Sequence, residues 1–132
     1  MRSWISFINS FLVFPEAFIS GYPDWAWLIP NSKGADLNEL YLKLVENAVS
    51  VTDDSTKKLC EAAKKAGVNV VIGMHERNTE TSSASLFNSL LFIDDKGLIL
   101  GKHRKLIPTG GERLIWSQGD GSTLCSYDTS AG

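Results

Sequence analysis

The sequence predicts a single α/β domain built around a mixed β-sheet. Two stretches carry apolar residues at helical spacing, a short run of branched apolar residues lies between turn signals, and two further apolar runs are joined by an Asp/Gly turn. Helix and strand patterns that alternate in this way within 132 residues are typical of one α/β unit.

The composition argues against several classes of partner. Thirteen basic and fifteen acidic residues leave a net charge of −2, so no global field favours nucleic acid or an anionic membrane. The basic run 102–105, KHRK, lacks interleaved aromatic residues and is a weak nucleic-acid signal. No apolar run is long enough to span a membrane. We expect neither nucleic acid nor a membrane as a partner.

The cysteines indicate a reducing compartment. Cys60 and Cys125 lie far apart, without CxxC spacing or a His/Cys cluster, so neither a zinc site nor a disulfide framework is indicated. The apolar start of the chain is interrupted by Asn9 and has no small-residue cleavage site, which argues against secretion. We therefore expect a cytoplasmic protein.

The first predicted strand is followed by a carboxylate at the start of a turn. Residues 11–14 are a short apolar run, interpreted as a buried strand that Pro15 ends, and Glu16 follows directly. Gly21 and Pro23 then mark a turn that opens an aromatic loop. That loop contains Tyr22, Trp25 and Trp27.

Two helices are predicted next. Residues 36–49 form an amphipathic pattern, and a second helix is capped by Asp53 or Asp54 and ended by Gly67. Its apolar face is predicted to comprise Leu59, Ala62, Ala63 and Ala66.

The remaining elements are strands. Residues 68–74 are predicted as a buried strand, and residues 76–85 as a loop. The runs 86–93 and 98–102 flank the turn DDKG and predict a hairpin, and residues 123–129 are predicted as a final strand.

Glu16 requires a partner, because a carboxylate at the mouth of a buried strand is costly unless it is paired or used. The best candidate is Lys105, where the second hairpin strand ends. A lysine beside a carboxylate can stabilise developing negative charge or transfer a proton. The alternative is that the run 102–105 forms one solvated basic patch; the pattern alone supports both interpretations equally.

Three long motifs give the chain a family resemblance. FPEAFISGYP (14–23), LFNSLLFIDDKGLILGKHRKLIPT (86–109) and GGERLIWSQGDGSTL (110–124) resemble the nitrilase branch of the carbon-nitrogen hydrolase superfamily, in the same order and at comparable spacing. The resemblance implies part of an α-β-β-α sandwich, with a mixed sheet and helices on one face.

The resemblance also implies roles for individual residues. Glu16 corresponds to the general base of a Glu-Lys-Cys triad, Lys105 to the lysine that stabilises the tetrahedral intermediates, and Glu112 to a second glutamate that positions substrate or triad. The implied reaction converts a small organic nitrile to a carboxylic acid and ammonia, with no metal or organic cofactor. Members of the family commonly form homo-oligomers.

The chain departs from the family pattern at both ends. The nucleophilic cysteine of the family lies in a Gly-rich segment that follows the region resembling residues 119–129, so no nucleophile is expected within this chain. Cys125 is instead interpreted as a packed thiol. Residues 1–10 are an atypical stretch, and residues 11–132 are expected to be a partial domain, inactive alone.

Other interpretations remain open. An amidase, carbamoylase or cyanide-processing enzyme would share fold and triad, and a truncated subunit that docks on full-length relatives would be non-catalytic. His75 and His103 lack partners at ligand spacing and are interpreted as structural histidines. Trp25, Trp27 and Trp116 are interpreted as core or interface residues rather than a pocket lining.

Overall fold

A mixed four-stranded sheet organises the protein, whose computed structural model describes residues 10–79 and 82–132. The strands lie in the order β1-β2-β3-β4, with β1 parallel to β2 and the other neighbours antiparallel. This confirms the predicted α/β class with a mixed sheet. The strands are β1 (Phe11–Ile19), β2 (Asn69–Arg77), β3 (Leu86–Ile93) and β4 (Ile99–Arg104). The helices are α1 (Trp25–Leu28), α2 (Gly34–Glu46) and α3 (Asp54–Ala66), with 3-10 helices at Asn31–Lys33 and Gly110–Leu114.

Strand β1 is longer and less buried than predicted. It continues through Pro15 to Ile19, with an irregular register between Phe14 and Ile19. It is one of the two edge strands of the sheet in the described part of the chain, and Val13 is 71% exposed. Proline is tolerated there because an edge strand has one side without ladder hydrogen bonds. The prediction of a buried strand ended by Pro15 was therefore wrong.

Helix α2 is followed by a segment that returns to the sheet. The helix spans Gly34–Glu46 rather than residues 36–49, and Val49 instead forms a parallel bridge with Glu76 of β2. The Val49 amide donates to the His75 carbonyl at 2.8 Å. The apolar period of the helix continues to Ala48 in the sequence, but Ala48 and Val49 lie beyond the helix and are buried in the cores that pack on the sheet.

Helix α3 begins and ends as predicted. The Asp53 side chain accepts a hydrogen bond from the Thr56 amide, and Gly67 adopts the left-handed conformation, φ 65°, that ends the helix. The predicted apolar face was partly wrong, because Ala62 and Ala66 are exposed. The side that packs on the sheet comprises Thr56, Leu59, Cys60 and Ala63.

Strands β2 and β3 form the centre of the sheet, and β4 lies at the edge opposite β1. β3 matches the predicted limits, β4 extends to Arg104, and β2 extends past Met74 to Arg77, so the predicted loop begins two residues too early. Helix α3 covers one face through a core that includes Ile72, Met74 and Leu91. A second core joins α1, α2 and the 3-10 helix 110–114 to the ends of β1 and β3, and it comprises Ala17, Leu44, Ala48, Leu86, Ile115 and Trp116.

Residues 123–129 do not form the predicted strand. They pair with no neighbouring strand among the described residues and run as an irregular segment along the sheet. The Tyr127 ring packs against Phe92 with ring centroids 5.0 Å apart, and its hydroxyl end lies against Gly101. Side-chain packing, rather than a backbone ladder, therefore holds this segment.

Residues 1–9 of the predicted atypical stretch lie outside the described residues. Among the helices of the described part, none has the length and apolar character needed to cross a membrane.

Candidate active site

Three of the residues singled out in the sequence meet at the end of the sheet. The Lys105 ammonium donates to Glu16 Oε1 at 2.9 Å and to Glu112 Oε2 at 2.8 Å. The Glu16 side chain is 45% exposed, whereas that of Glu112 is only 5% exposed. One cation thus joins an accessible carboxylate to a buried one.

The close approach of β1 to β2 positions Glu16. A Cβ atom at Gly73 would lie 2.2 Å from the Pro15 carbonyl oxygen and 2.8 Å from the Glu16 Cα, so only glycine allows this contact. Ala17 then turns the chain with φ 51°, a conformation that non-glycine residues rarely adopt. Because Ala17 is fully buried, the second core holds that conformation in place.

Strand β3 holds both Lys105 and Glu16. The Lys105 amide donates to the Asn88 carbonyl at 2.8 Å, which extends the β3–β4 ladder by one residue. The Asn88 side-chain amide donates to Glu16 Oε1 at 2.5 Å. Glu16 Oε1 therefore accepts from both Lys105 and Asn88, while no hydrogen bond reaches Glu16 Oε2 within residues 10–79 and 82–132.

Glu112 is fixed from three directions. It forms a capping box with Thr109 at the start of the 3-10 helix 110–114, and its Oε2 accepts from the Thr109 amide at 2.6 Å. Its other oxygen accepts from the Tyr22 hydroxyl at 2.7 Å. With Lys105, these bonds satisfy both oxygens of a buried carboxylate, as burial of a charge requires.

The electrostatics of the cluster keep Lys105 and Glu112 charged. Burial by itself would lower the pKa of Lys105, but its hydrogen bonds to Glu112 and Glu16 outweigh that effect and raise it. Burial would raise the pKa of Glu112, yet the bonds from Lys105, the Thr109 amide and Tyr22 lower it. Burial and the bond to Glu112 both raise the pKa of the Tyr22 phenol, so Tyr22 remains a donor.

A family model decides the chain's relationship. The model for carbon-nitrogen hydrolases matches residues 9–132. The chain belongs to the carbon-nitrogen hydrolase family.

The relatives of this chain include proteins named as nitrilases. A nitrilase 2 from an unknown prokaryotic organism is 43% identical over 117 residues, covering 89% of this chain and 36% of the relative. Nitrilase 2 of Arabidopsis thaliana is 41% identical over 129 residues, covering 94% of this chain and 36% of the relative. The chain thus spans about a third of the length of these curated relatives.

A solved structure shares the fold. It is an amidase from Nesterenkonia sp. AN1, with the acetamide moiety of fluoroacetamide covalently added at its active-site cysteine. The TM-score is 0.56 at 16% sequence identity, over 84% of this chain and 35% of that one. This likeness confirms the predicted fold class of the chain.

A pocket of about 210 Å³ opens beside Glu16 and Lys105. Asn88, Leu90 and His103 also line it. Neither cysteine is part of this site. Cys60 packs with the core beneath α3. The interpretation of Cys125 as a packed thiol was wrong, because Cys125 is exposed and its thiol donates to the Tyr127 hydroxyl at 2.8 Å.

The structure also resolves the alternative of a solvated basic patch. Lys102 and Arg104 both bind Glu76, which is 1% exposed, whereas Lys105 points to Glu16 and Glu112. The run 102–105 is therefore divided between two sites, because successive side chains along a strand point to opposite faces.

Two members of the candidate site were not identified from the sequence. Asn88 was included only as part of a strand, although a polar residue inside an apolar run was a signal of a buried contact. Tyr22 was assigned to an aromatic loop with no role, and nothing local predicts its bond to Glu112, 90 residues away.

Proposed function

We propose that this chain supplies the base and the cation of a nitrilase active site, which converts a small organic nitrile to a carboxylic acid and ammonia. The observation that carries the proposal is the Lys105 ammonium held between Glu16 and Glu112 beside an open pocket. Membership of the carbon-nitrogen hydrolase family and the two nitrilase relatives support it.

The nucleophile of this reaction is a cysteine thiol. Glu16 takes the thiol proton, and the thiolate attacks the nitrile carbon, so that a C–S bond forms and negative charge develops on nitrogen. The free Oε2 and the exposed position of Glu16 suit a base that must reach an incoming proton. The nitrogen is then protonated to give a thioimidate.

Lys105 acts on the charges that follow. Water adds to the thioimidate, ammonia leaves, and the resulting thioester is hydrolysed to the acid and the free thiol. Each addition places negative charge on nitrogen or oxygen, which a fixed ammonium stabilises without reorganisation. Glu112 keeps that ammonium charged and aimed, because it is itself held by Thr109 and Tyr22.

The thiol comes from outside these 132 residues in this proposal, because Cys60 and Cys125 both lie apart from the pocket. The 132-residue chain is then expected to release no ammonia from benzonitrile or phenylacetonitrile. Release that persists after Cys125→Ala would contradict the expected inactivity.

The coding sequence beyond Gly132 is the second test: a Gly-rich segment ending in Cys-Trp-Glu is expected, and a continuation without cysteine would overturn the enzyme assignment.

In the full-length protein, Lys105→Met tests the cation directly. Loss of one transition-state stabiliser typically costs about 3 kcal/mol, so kcat is expected to fall by roughly 10²–10³-fold. Lys57→Met is the matched control, because Lys57 is exposed and its ion pair with Asp54 lies on the surface of α3. Equal activities of the two variants would refute the role of Lys105.

An amidase is the second candidate, because the solved amidase shares the fold at a TM-score of 0.56. A substrate panel that pairs benzonitrile with benzamide, and phenylacetonitrile with phenylacetamide, separates the two in the full-length protein. Acid formed from the nitriles and not from the amides supports the nitrilase. The reverse result assigns the same Glu16, Lys105 and Glu112 cluster to an amidase.

A further inference from the structure

His75 lies at the centre of the molecule with both ring nitrogens bonded. It is fully buried on β2. Its Nε2 lies 2.8 Å from the Gly21 carbonyl oxygen, and its Nδ1 lies 2.9 Å from Trp116 Nε1. These contacts join two segments that are distant in the sequence, the turn after β1 and the residues after the 3-10 helix 110–114.

The partners determine the tautomer of His75. A carbonyl oxygen only accepts, so Nε2 must carry the hydrogen that it receives. An indole N–H only donates, so Nδ1 must be free of hydrogen to accept from Trp116. The neutral imidazole with hydrogen on Nε2 is the one form that satisfies both, and protonation at Nδ1 would set two donors against each other.

The two segments that His75 joins carry the candidate site. The Gly21 amide donates to the Ala17 carbonyl at 2.9 Å, and Ala17 directly follows Glu16. The next residue after Gly21, Tyr22, donates to Glu112. Trp116 in turn donates its amide to the Glu112 carbonyl at 2.8 Å.

Aromatic packing completes the connection. The Tyr22 and Trp116 rings meet edge to face with centroids 5.7 Å apart, and the Lys105 ammonium lies 6.0 Å from the Trp116 ring centroid. The ionisable groups reached from His75 through these rings are the Tyr22 phenol, Glu112, Lys105 and, through Lys105, Glu16.

We propose that neutral His75 is a positioning residue that holds the turn after β1 and the Trp116 segment together, and thereby keeps Glu112 and Lys105 in register with Glu16. The importance of these relative positions for catalysis rests on the proposed function, but the positioning by the His75 hydrogen bonds does not. Burial also lowers the pKa of His75, with the Gly21 carbonyl acting in the opposite direction, so the ring stays neutral near neutral pH.

The first test is the tautomer of His75 in the 132-residue chain. Nitrogen-15 NMR of histidine-labelled protein, with the two histidine signals assigned by a His103→Gln variant, distinguishes hydrogen on Nε2 from hydrogen on Nδ1. We expect hydrogen on Nε2 only, unchanged as the pH is lowered until the chain unfolds. Hydrogen on Nδ1, or a folded state with charged His75 at neutral pH, overturns the proposal.

The second test is the reactivity of the Lys105 amine. Competitive labelling with an amine-reactive reagent near neutral pH, followed by mass spectrometry, compares Lys105 with the exposed Lys57. In the wild type, Lys105 is expected to react several-fold more slowly than Lys57, because its two ion pairs hold the amine charged. His75→Leu removes both ring hydrogen bonds and should bring the Lys105 rate close to that of Lys57, whereas His75→Gln retains a donor and an acceptor and should restore much of the protection.

A core variant separates positioning from general destabilisation. Leu91 is fully buried in the core beneath α3, whereas Trp116, the partner of His75, belongs to the second core, so Leu91→Ala should weaken the fold and leave the relative labelling of Lys105 unchanged. Equal labelling of Lys105 in wild type and His75→Leu would overturn the proposal. Should His75→Leu not fold, the same labelling in His75→Gln and the wild-type tautomer decide it. None of these measurements depends on catalysis, so a failed nitrilase assignment would be recognised separately.

Discussion

Gly73 allows Glu16 to lie where Lys105 can bind it. The contact between β2 and the Pro15–Ala17 backbone is closer than any side chain permits, since an added Cβ would lie 2.2 Å from the Pro15 carbonyl oxygen. The obstructing atoms belong to the backbone and cannot rotate away. The position of the candidate base therefore depends on a residue that takes no part in chemistry.

Gly73→Ala tests this dependence. Overpacking a core typically costs about 1–3 kcal/mol, and we expect the upper part of that range or more here, with loss of the Glu16–Lys105 contact. The free energy of unfolding in urea measures the effect. Gly34→Ala is the control, because nothing lies within 4 Å of its added Cβ and α2 begins there. A Gly73→Ala protein as stable as the wild type would show that β1 can move away from β2 without a loss of stability.

Glu112→Gln tests the buried carboxylate. The substitution keeps the size of the side chain but removes the charge that Lys105 and the Thr109 amide bind, and a hydrogen bond to a charged group contributes about 1.5–3 kcal/mol. We expect a loss of that order in the free energy of unfolding. Glu39→Gln on the exposed face of α2 should leave that free energy unchanged, although it also removes an ion pair. Similar losses of unfolding free energy in both variants would contradict the expectation that the buried carboxylate contributes more to stability than the exposed one.

The helices and strands that could be predicted from the sequence are those with local signals. The Asp53 cap, the Gly67 stop and the Asp/Gly turn of the hairpin are all read within a few residues, and α3 and β3 were confirmed at their predicted limits. The strand predicted at residues 123–129 was wrong, because a strand requires a neighbour and periodicity cannot supply one.

Burial was harder to predict than element type. Residues 11–14 have the composition of a buried strand, yet the position of β1 at the sheet edge leaves Val13 exposed. The contact between Glu16 and Lys105 was predicted from their strand ends, but the bonds from Asn88 and Tyr22 depend on tertiary register. The sequence therefore indicated the charged pair, while the groups that hold it required the structure.

A second ion cluster joins strands β2, β3 and β4. Glu76 of β2 binds Lys102 and Arg104 of β4 and accepts from the Ser89 hydroxyl of β3 at 2.7 Å. Ser89 and Arg104 are directly paired across the ladder, and Asn88, one residue earlier, faces the Glu16 side of the sheet. The cluster thus fixes the register of β4, from which Lys105 emerges.

Glu76→Gln tests whether the ion cluster stabilises the pairing of β4 in the sheet. Removing one partner of a buried ion pair typically costs about 3–5 kcal/mol, because the remaining charges stay buried without compensation. Lys102 and Arg104 are partly exposed, so we expect the lower end of that range, measured as the free energy of unfolding. Glu61→Gln, on the exposed side of α3, is the control. A loss no larger than that of the control would show that the cluster adds little to the sheet.

The ionisable groups with shifted pKa values predict how the stability of the whole protein depends on pH: a plateau, with a loss of stability at lower and at higher pH. Burial lowers the pKa of His75 below the ordinary value of 6.5, so the unfolded chain takes up the proton first and stability falls as the pH drops below about 6.5. Hydrogen bonds outweigh burial in lowering the pKa of Glu76 and Glu112, so their contribution is present above about 4.5 and is lost as the pH falls through their depressed values. The raised pKa of Lys105 acts oppositely: its contribution is present below about 10.5 and is lost as the pH rises through the raised value.

The urea midpoint, measured against pH, separates these contributions. We expect a plateau from about pH 7 to about pH 10, a first decline below about pH 6.5 and a steeper one below about pH 4.5. His75→Gln should abolish the first decline, because glutamine does not titrate, and Glu112→Gln should flatten only the second. A first decline that persists in His75→Gln would mean that a group other than His75 takes up that proton. The pH range in which the candidate site is held together would then be set elsewhere in the molecule.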